Sequence, residues 1–212
     1  MDEQRVPIRS ITEVGAHTVA IELATPTGFS AHPGQFVLVR ATIDGEDVAR
    51  HYTLSSPSVT ETFELTVGID PEGAFSGWLT GRKPGDELTI EGPFGTVFYD
   101  DDGPVRVLAG GPGIGAGLGV AERAASLGYE VAFVAESDDG VIHRDRFEAL
   151  AGEQLVIITD ADEFDDGVER AYTERPDATT YVFGFNEFVV RAIRAIESAG
   201  GDPNEARMES YG

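Results

Sequence analysis

The sequence predicts a two-domain protein, an antiparallel β-barrel followed by an α/β domain with a parallel sheet. Three observations predict this fold. The hydrophobic pattern has period two up to about residue 100, it changes afterwards to short apolar runs that alternate with helical patterns, and a charged stretch ending in Gly-Pro separates the two. With 212 residues, 41% of them hydrophobic, the chain can form two cores of near 100 residues each.

The hydrophobic pattern of the first half predicts a series of half-buried strands. Val19, Ile21 and Leu23 alternate with polar residues, and the stretch from Phe63 to Ile69 does the same. Glycine and proline turns divide the strands at spacings typical of a small barrel, namely Pro26-Thr27-Gly28, Pro33-Gly34, Asp44-Gly45, Pro84-Gly85 and Gly92-Pro93. A barrel of six strands is expected.

The second half begins after the polar run from Tyr99 to Pro104, and we place the border between residues 102 and 103. A sheet of five strands is expected, four of them at the apolar runs of residues 105–109, 130–135, 155–159 and 180–183. Helices are expected at about 114–127, 144–151, 165–173 and 186–199. Alternating strands and helices indicate a parallel sheet.

Composition excludes several classes of function. Asp and Glu number 38 against 15 Lys and Arg, a net charge of −23 that makes nucleic acid an unfavourable partner. The acids are spread along the chain, which favours the cytosolic protein of a halophile over the alternative of an acidic docking face. There is no cysteine, so disulfides and iron–sulfur clusters are excluded from this chain. Redox chemistry would need an organic cofactor.

Targeting and metal signals are missing from the sequence as well. No apolar run approaches the roughly 18 residues that cross a bilayer, and no apolar segment follows the charged first residues, so we expect a cytoplasmic protein. The histidines lack metal-ligand spacing and the acidic run at residues 160–166 lacks calcium-loop spacing. We assign no metal, and the oligomeric state stays open.

A glycine-rich turn opens the second half. Gly111, Gly113 and Ala116 follow a buried strand and fit the pattern G-x-G-x-x-G/A, which lets a pyrophosphate approach a helix N-terminus; the alternative is a tight structural turn. Glu136 ends the next strand, where an acid can accept a hydrogen bond from a ribose 2′-hydroxyl and so favour NADH. Alternatively Glu136 is a surface acid, and Arg144 and Arg146 could serve a 2′-phosphate.

Two segments of the barrel half could hold a phosphorylated, planar ligand. In the stretch from Arg50 to Pro57, alternation places Arg50, Tyr52 and Leu54 on one face, so that a guanidinium lies beside an aromatic ring. Residues 73–79 combine flexible backbone, a hydroxyl and the start of a short helix. They form either an anion site or a helix cap.

Taken together, these segments resemble the ferredoxin–NADP reductase superfamily, in which a flavin-binding barrel precedes a pyridine-nucleotide domain. The resemblance covers essentially the whole chain. It rests on four motifs in the family's order: R-x-Y-[ST]-x-x-S at residues 50–56, G-x-x-S at 73–76, K-P-G-D-x-x-x-x-x-G-P-F-G at 83–95, and the glycine loop at 111–116.

The resemblance implies FAD and NAD(P)H as cofactors. It implies FAD rather than FMN because members of the family usually bind FAD. It implies that Thr53 hydrogen-bonds near flavin N5, that Glu209 places a carboxylate beside the nicotinamide, and that Tyr211 covers the flavin ring and moves for hydride transfer. The alternative for Tyr211 is a frayed terminal aromatic. The residues implied at the flavin are Arg50, Tyr52, Thr53, Ser56, Val67, Ile69, Gly73, Ala74, Phe75 and Ser76, and those at the nucleotide are Gly111, Pro112, Gly113, Glu136, Gly184 and Phe185.

Two positions depart from the family pattern. Phe183 stands where members usually carry a cysteine near the nicotinamide, and its larger ring is expected to disturb nicotinamide stacking. Pro112 stands where many members have threonine, which removes a hydroxyl and a backbone donor from the glycine loop.

The expected function is hydride transfer from NAD(P)H to FAD and electron transfer to a separate acceptor, such as a ferredoxin, a free flavin, a quinone or oxygen. Two alternatives remain open. One is an electron-transfer subunit of a larger complex, and the other is a flavin-binding sensor with a degenerate nucleotide site.

Overall fold

Six antiparallel strands form the first sheet of the computed structural model, which describes residues 3–137 and 140–211. The strands are β1 (Gln4–Gly15), β2 (Thr18–Ala24), β3 (Phe36–Ile43), β4 (Glu46–Thr53), β5 (Thr62–Gly68) and β6 (Glu87–Phe94). Their order in the sheet is β4-β3-β6-β1-β2-β5. A bridge between Leu54 and Leu65 brings the two edge strands together, so the sheet is barrel-like and the predicted fold is confirmed.

The local sequence explains these strands. Phe63, Leu65 and Val67 of β5 are buried in the barrel core. Asp44 and Gly45 both adopt positive φ, at 53° and 86°, which is the geometry of the tight hairpin turn that joins β3 to β4. Helix α1 (Ala74–Thr80) buries Phe75 and Leu79 in the same core.

The second sheet is parallel and has five strands in the order β11-β10-β7-β8-β9. Its elements are β7 (Val105–Gly110), α2 (Gly113–Ser126), β8 (Val131–Glu136), α3 (Arg144–Ala151), β9 (Leu155–Thr159), α4 (Phe164–Glu174), β10 (Thr179–Gly184), α5 (Asn186–Ser198), a 3₁₀ turn (Pro203–Glu205) and β11 (Arg207–Ser210). The four predicted helices agree with the observed ones to within one residue at each end. Separate apolar clusters cover the two faces of the sheet.

Residues 95–104 link the two sheets, and the predicted border falls within them. Tyr99 is fully buried in the core on the α2 side of the parallel sheet, and its hydroxyl donates to Gly103 O at 2.8 Å. Its backbone N–H donates to Pro33 O in the barrel at 2.9 Å. The linker is therefore packed against both domains. Within the described residues, no helix combines the length and hydrophobicity needed to cross a membrane.

Helix α2 packs closely against the barrel because two of its glycines lack side chains. A Cβ on Gly115 would lie 2.2 Å from Thr66 Oγ1, and a Cβ on Gly119 would lie 2.9 Å from Ser56 O. His143, at the start of α3, adds a hydrogen bond of 2.7 Å between its Nε2 and Thr66 Oγ1. These contacts fix the edge of the barrel against the carboxyl ends of the parallel strands.

Candidate cofactor site

A cavity of about 840 Å³ lies where the two domains meet, within the size range of ligand pockets. The barrel contributes the end of β4, the end of β5 and the turn between β1 and β2. The α/β domain contributes the start of α2 and the chain ends that follow β10 and β11. Eight residues implicated from the sequence line it: Arg50, Tyr52, Thr53, Ile69, Pro112, Phe185, Glu209 and Tyr211.

On the β4 side of the cavity, an arginine lies beside a stacked pair of aromatic rings. The Arg50 guanidinium lies 5.9 Å from the centre of the Phe75 ring and donates to the carbonyl of Ala49 at 2.8 Å. The Tyr52 and Phe75 rings are stacked at 6.2 Å, and burial raises the pKa of Tyr52 to about 12. Within the described residues no carboxylate forms an ion pair with Arg50, so its charge is available to a phosphate.

Tyr211 covers the cavity from the α/β side. Its backbone N–H donates to Gly184 O at 3.0 Å, which holds the chain end against β10. Its hydroxyl is buried with Thr53 as its polar neighbour, and this burial raises the pKa of Tyr211. The two residues come from different domains, so the cavity depends on the packing of both.

Glu209 is the carboxylate that the α/β domain brings to the cavity. It pairs with Phe183 across β10 and β11 and lines the cavity near its Tyr211 side. Partial burial raises the pKa of Glu209. A carboxylate in this position can stabilise positive charge on a bound ring.

Six of the residues assigned to the flavin lie outside the cavity lining. Val67 is fully buried in the barrel core. The Ser56 hydroxyl accepts a hydrogen bond from the Glu64 N–H at 2.6 Å and borders a separate cleft that also contains Arg146. The other four are the residues of the α1 segment, Gly73, Ala74, Phe75 and Ser76. In that segment Ser76 Oγ accepts from the Asp70 N–H at 3.2 Å.

Gly111 and Gly113 of the glycine loop are glycines for two different structural reasons. Gly111 has φ of +54°, a left-handed conformation that favours glycine. Gly113 packs against β10, since a Cβ there would lie 2.3 Å from Phe183 O. Pro112 precedes α2 and borders the cavity. Close packing thus accounts for Gly113 independently of any ligand.

Glu136 lies at the end of β8 but its side chain points to α5. Its carboxylate forms an ion pair with Arg191, and its side chain is 11% exposed. The sequence analysis did not implicate Arg191, because nothing local marks a contact between residues 55 positions apart.

Arg146, considered above for a 2′-phosphate, is engaged elsewhere. It donates to Glu122 at 2.7 and 2.8 Å and to Glu64 at 2.9 Å. These carboxylates already neutralise its charge, and the residue holds the two domains together.

Phe183 does not disturb the nucleotide site in the expected way. Its side chain is fully buried on the α2 side of the sheet, where its ring stacks on Tyr181 at 6.4 Å between centres. The ring tip reaches Gly34 of the barrel, 3.5 Å from where a Cβ would stand. The expectation was wrong because this side chain points into the core, and the aromatic ring that lines the cavity is Phe185.

Comparison with known proteins finds similarity to FAD-binding oxidoreductases, with the family model confined to the barrel half of the chain. Residues 5–99 match the model of the oxidoreductase FAD-binding domain family. Over 94 residues the chain is 44% identical to the glycine betaine monooxygenase reductase subunit of Chromohalobacter salexigens, covering 42% of this chain and 25% of that protein. It is 31% identical to NADH-cytochrome b5 reductase 1 of Aspergillus terreus, covering 71% of this chain and 57% of that protein.

Solved structures show the same two-domain fold. The Amycolatopsis cytochrome P450 reductase GcoB superposes with a TM-score of 0.80 at 19% identity, covering 99% of this chain and 70% of that one. The flavohem-like FAD/NAD binding domain of nitric oxide dioxygenase from Vibrio cholerae gives a TM-score of 0.77 at 19% identity, with both chains covered completely. This chain spans a quarter of the length of the reductase subunits that it matches, so the shared fold does not by itself assign their activity.

Proposed function

We propose that this protein is an NAD(P)H-dependent flavoprotein reductase that passes electrons to a separate acceptor. The observation that carries the proposal is the cavity between the domains. There the unpaired Arg50 and the Tyr52 and Thr53 side chains of the barrel face Glu209 and Tyr211 of the α/β domain. A cation, stacked rings and a carboxylate from two domains suit a phosphorylated ring cofactor on one side and a nicotinamide on the other.

The donor set fits FAD. Arg50 pairs with a flavin phosphate, and Tyr52 supplies an aromatic face against which the cofactor packs. Gly68 and the neighbouring Ile69 border the same cavity, and we propose that they contact the planar ring. The segment of residues 73–76 supports this wall through the Phe75 ring, which stacks on Tyr52; we propose the backbone of the segment as a second phosphate contact.

NAD(P)H is proposed to bind across the carboxyl ends of the parallel strands. The loop from Gly111 to Gly113 is proposed to accept the pyrophosphate, and Gly184 and Phe185 to border the nicotinamide half; of these residues, Pro112 and Phe185 line the cavity. Glu136 accepts from the ribose 2′-hydroxyl, which favours NADH, after its contact with Arg191 adjusts. Bound FAD supplies the hydride acceptor and the store of electrons for the next protein.

The chain's own residues orient the two rings. With the cofactors bound, the Thr53 hydroxyl would donate to the flavin ring system, and the Glu209 carboxylate would be placed to stabilise positive charge on a nicotinamide ring. Tyr211 shields the cavity from water until the nicotinamide arrives, and its ring then moves aside. The bond that holds this residue to Gly184 is made by its backbone and not by its side chain.

The acceptor is proposed to be a separate redox protein, such as a ferredoxin or the oxygenase component of a multi-component system. The name of the Chromohalobacter relative, a monooxygenase reductase subunit, supports an electron-transfer subunit of this kind. We propose a barrel domain at residues 1–102 for FAD and an α/β domain at 103–212 for NAD(P)H.

Titration of FAD and FMN into the protein, followed by flavin fluorescence, tests the flavin site. Arg50→Ala is expected to weaken flavin binding by roughly 10- to 100-fold, because a charge-assisted hydrogen bond contributes about 1.5–3 kcal/mol. Arg40→Ala is the matched control, since Arg40 lies on the adjacent strand β3 but pairs with Glu91 at 2.7 Å. Failure of the wild-type protein to take up either flavin would refute the proposal.

A further inference from the structure

A second cavity, of about 660 Å³, lies at the amino ends of two neighbouring strands of the parallel sheet. Arg106 and Thr180 line it, and they are the second residues of β7 and β10. The candidate cofactor site lies beyond the carboxyl ends of the parallel strands, so the two cavities are at opposite ends of the sheet. The volume of the second cavity is within the range of ligand pockets.

Arg106 supplies a buried positive charge to the wall of this cavity, with 1% of the residue exposed. Its Nη1 donates to Thr180 Oγ1 at 2.7 Å and to the carbonyl of Ala178 at 3.2 Å, and its Nη2 donates to the carbonyl of Arg175. Among the described residues no carboxylate forms an ion pair with this guanidinium, and its Nε has no hydrogen-bond partner. Because burial of an unpaired charge is unfavourable, the guanidinium favours a ligand with an anionic group.

The aromatic ring of Tyr172 on α4 holds the guanidinium in place. The guanidinium carbon lies 3.4 Å from the centre of this ring, and the Tyr172 hydroxyl forms a hydrogen bond of 3.0 Å with Thr180 Oγ1. Gly201, on the chain that follows α5, packs against the same ring, since a Cβ there would lie 2.5 Å from Tyr172 Cε1. The cation is therefore positioned before a ligand binds, which lowers the entropic cost of binding.

Three carboxylates lie on the exposed part of the cavity lining, those of Asp177, Asp202 and Glu205. In the part of the chain that the structure describes, none of the three forms an ion pair. Asp202 accepts hydrogen bonds from the backbone and side-chain amides of Asn204 at 2.9 and 2.8 Å, and these bonds lower its pKa. This negative rim repels a simple anion and attracts a cationic group.

We propose that the second cavity binds a basic amino acid, a ligand with one carboxylate and two ammonium groups. The carboxylate pairs with the buried Arg106 guanidinium, and the ammonium groups lie among the exposed carboxylates of the rim. A simple anion would match only the arginine, and a diamine would match only the rim. The combination of one buried cation with several exposed anions therefore selects a ligand that carries charges of both signs.

Calorimetric titration of the protein with L-lysine, with FAD in excess, tests this site. Cadaverine has the same two ammonium groups without the carboxylate, and hexanoate has the carboxylate on a chain of equal length without the ammonium groups. The titrations use the lowest KCl concentration at which the protein stays folded, because salt screens these charges. L-lysine is expected to bind roughly tenfold or more tightly than either matched probe, since each probe lacks one set of charge-assisted contacts.

Variants of the lining assign the binding to this cavity. Asp177→Asn/Glu205→Gln removes two charges from the rim and is expected to weaken L-lysine binding by roughly three- to tenfold. Asp165→Asn/Glu169→Gln is the matched control, because both residues are exposed on α4 and line neither cavity. Arg106→Gln is expected to abolish the preference for L-lysine over cadaverine, with circular dichroism as the check of its folding.

The comparison of the three probes on the wild-type protein decides the proposal even where Arg106→Gln does not fold. Hexanoate that binds as tightly as L-lysine would identify a simple anion site and overturn the proposal. Cadaverine that binds as tightly as L-lysine would identify general attraction to an acidic surface, and equal weakening by the two double variants would do the same. A protein that takes up FAD but does not bind L-lysine would overturn this site and leave the proposed function standing.

Discussion

Arg146 joins the two domains through a network whose loss should destabilise the protein. From α3 it holds Glu122 of α2 with two hydrogen bonds of 2.7 and 2.8 Å, and it reaches Glu64 of the barrel at 2.9 Å. It also donates to Ser55 O at 2.6 Å. Arg146→Met keeps the apolar stem of the side chain but leaves both carboxylates and the carbonyl without this partner.

The size of the effect follows from the burial of the network. The side chains of Arg146, Glu64 and Glu122 are 21%, 29% and 24% exposed. Breaking a fully buried ion pair costs about 3–5 kcal/mol, whereas an exposed pair contributes about 0–1 kcal/mol. At this intermediate burial we expect Arg146→Met to lower the free energy of unfolding by about 2–3 kcal/mol. For a chain of this size that corresponds to a Tm lower by roughly 5–10 °C.

Urea denaturation at fixed ionic strength measures this loss. Arg170→Met is the matched control, because Arg170 forms an i,i+4 ion pair with Glu174 at 2.7 Å on an exposed helix surface. The control should change stability by less than about 0.5 kcal/mol. If Arg146→Met is no more destabilising than Arg170→Met, the network does not hold the domains together and the reasoning fails.

Three further predictions concern packing, pH and salt. Gly115→Ala is expected to lower the stability of the protein by about 1–3 kcal/mol in thermal unfolding, because the new Cβ would lie 2.2 Å from Thr66 Oγ1. Gly77→Ala is the control and should not destabilise the protein in this way, because a Cβ there meets nothing within 4 Å. Burial and the charge of Arg146 lower the pKa of His143 to about 3. In the folded protein the imidazole therefore stays neutral, whereas in the unfolded chain it binds a proton below about pH 6.5. Stability is thus expected to fall between pH 6 and 4 more steeply for the wild type than for His143→Gln, and equal slopes would exclude this cause. Since the net charge is −23, stability should rise with KCl up to molar concentrations; a flat dependence would contradict the predicted halophilic origin.

The sequence predicts the fold well because local patterns determine most of it. Period-two alternation marked β2, β3, β5 and β6 of the barrel, and the predicted bounds of the four helices of the second half agree with the observed ones to within one residue. The position of strand β11, in contrast, is not predictable from a local pattern. Its residues Arg207, Met208, Glu209 and Ser210 carry no apolar pattern, and the strand forms because it pairs with β10 at the edge of the sheet.

The motifs predict part of the membership of the candidate site: eight of the eighteen indicated residues line the cavity and ten lie outside its lining. Motif spacing indicated eight residues that do line one cavity. The orientation of side chains was not predictable, since it depends on contacts between distant parts of the chain. Phe183 is directed into the core by the register of β10, Ser56 is held by the Glu64 N–H, and Glu136 pairs with Arg191.

An anaerobic absorbance titration tests the central claim most directly. Protein loaded with FAD in molar KCl is titrated with NADH and, separately, with NADPH. Rapid loss of the visible flavin absorbance is expected, with NADH acting at lower concentration than NADPH because of Glu136. A protein that retains its flavin but is bleached by neither nucleotide would contradict the assignment as a reductase.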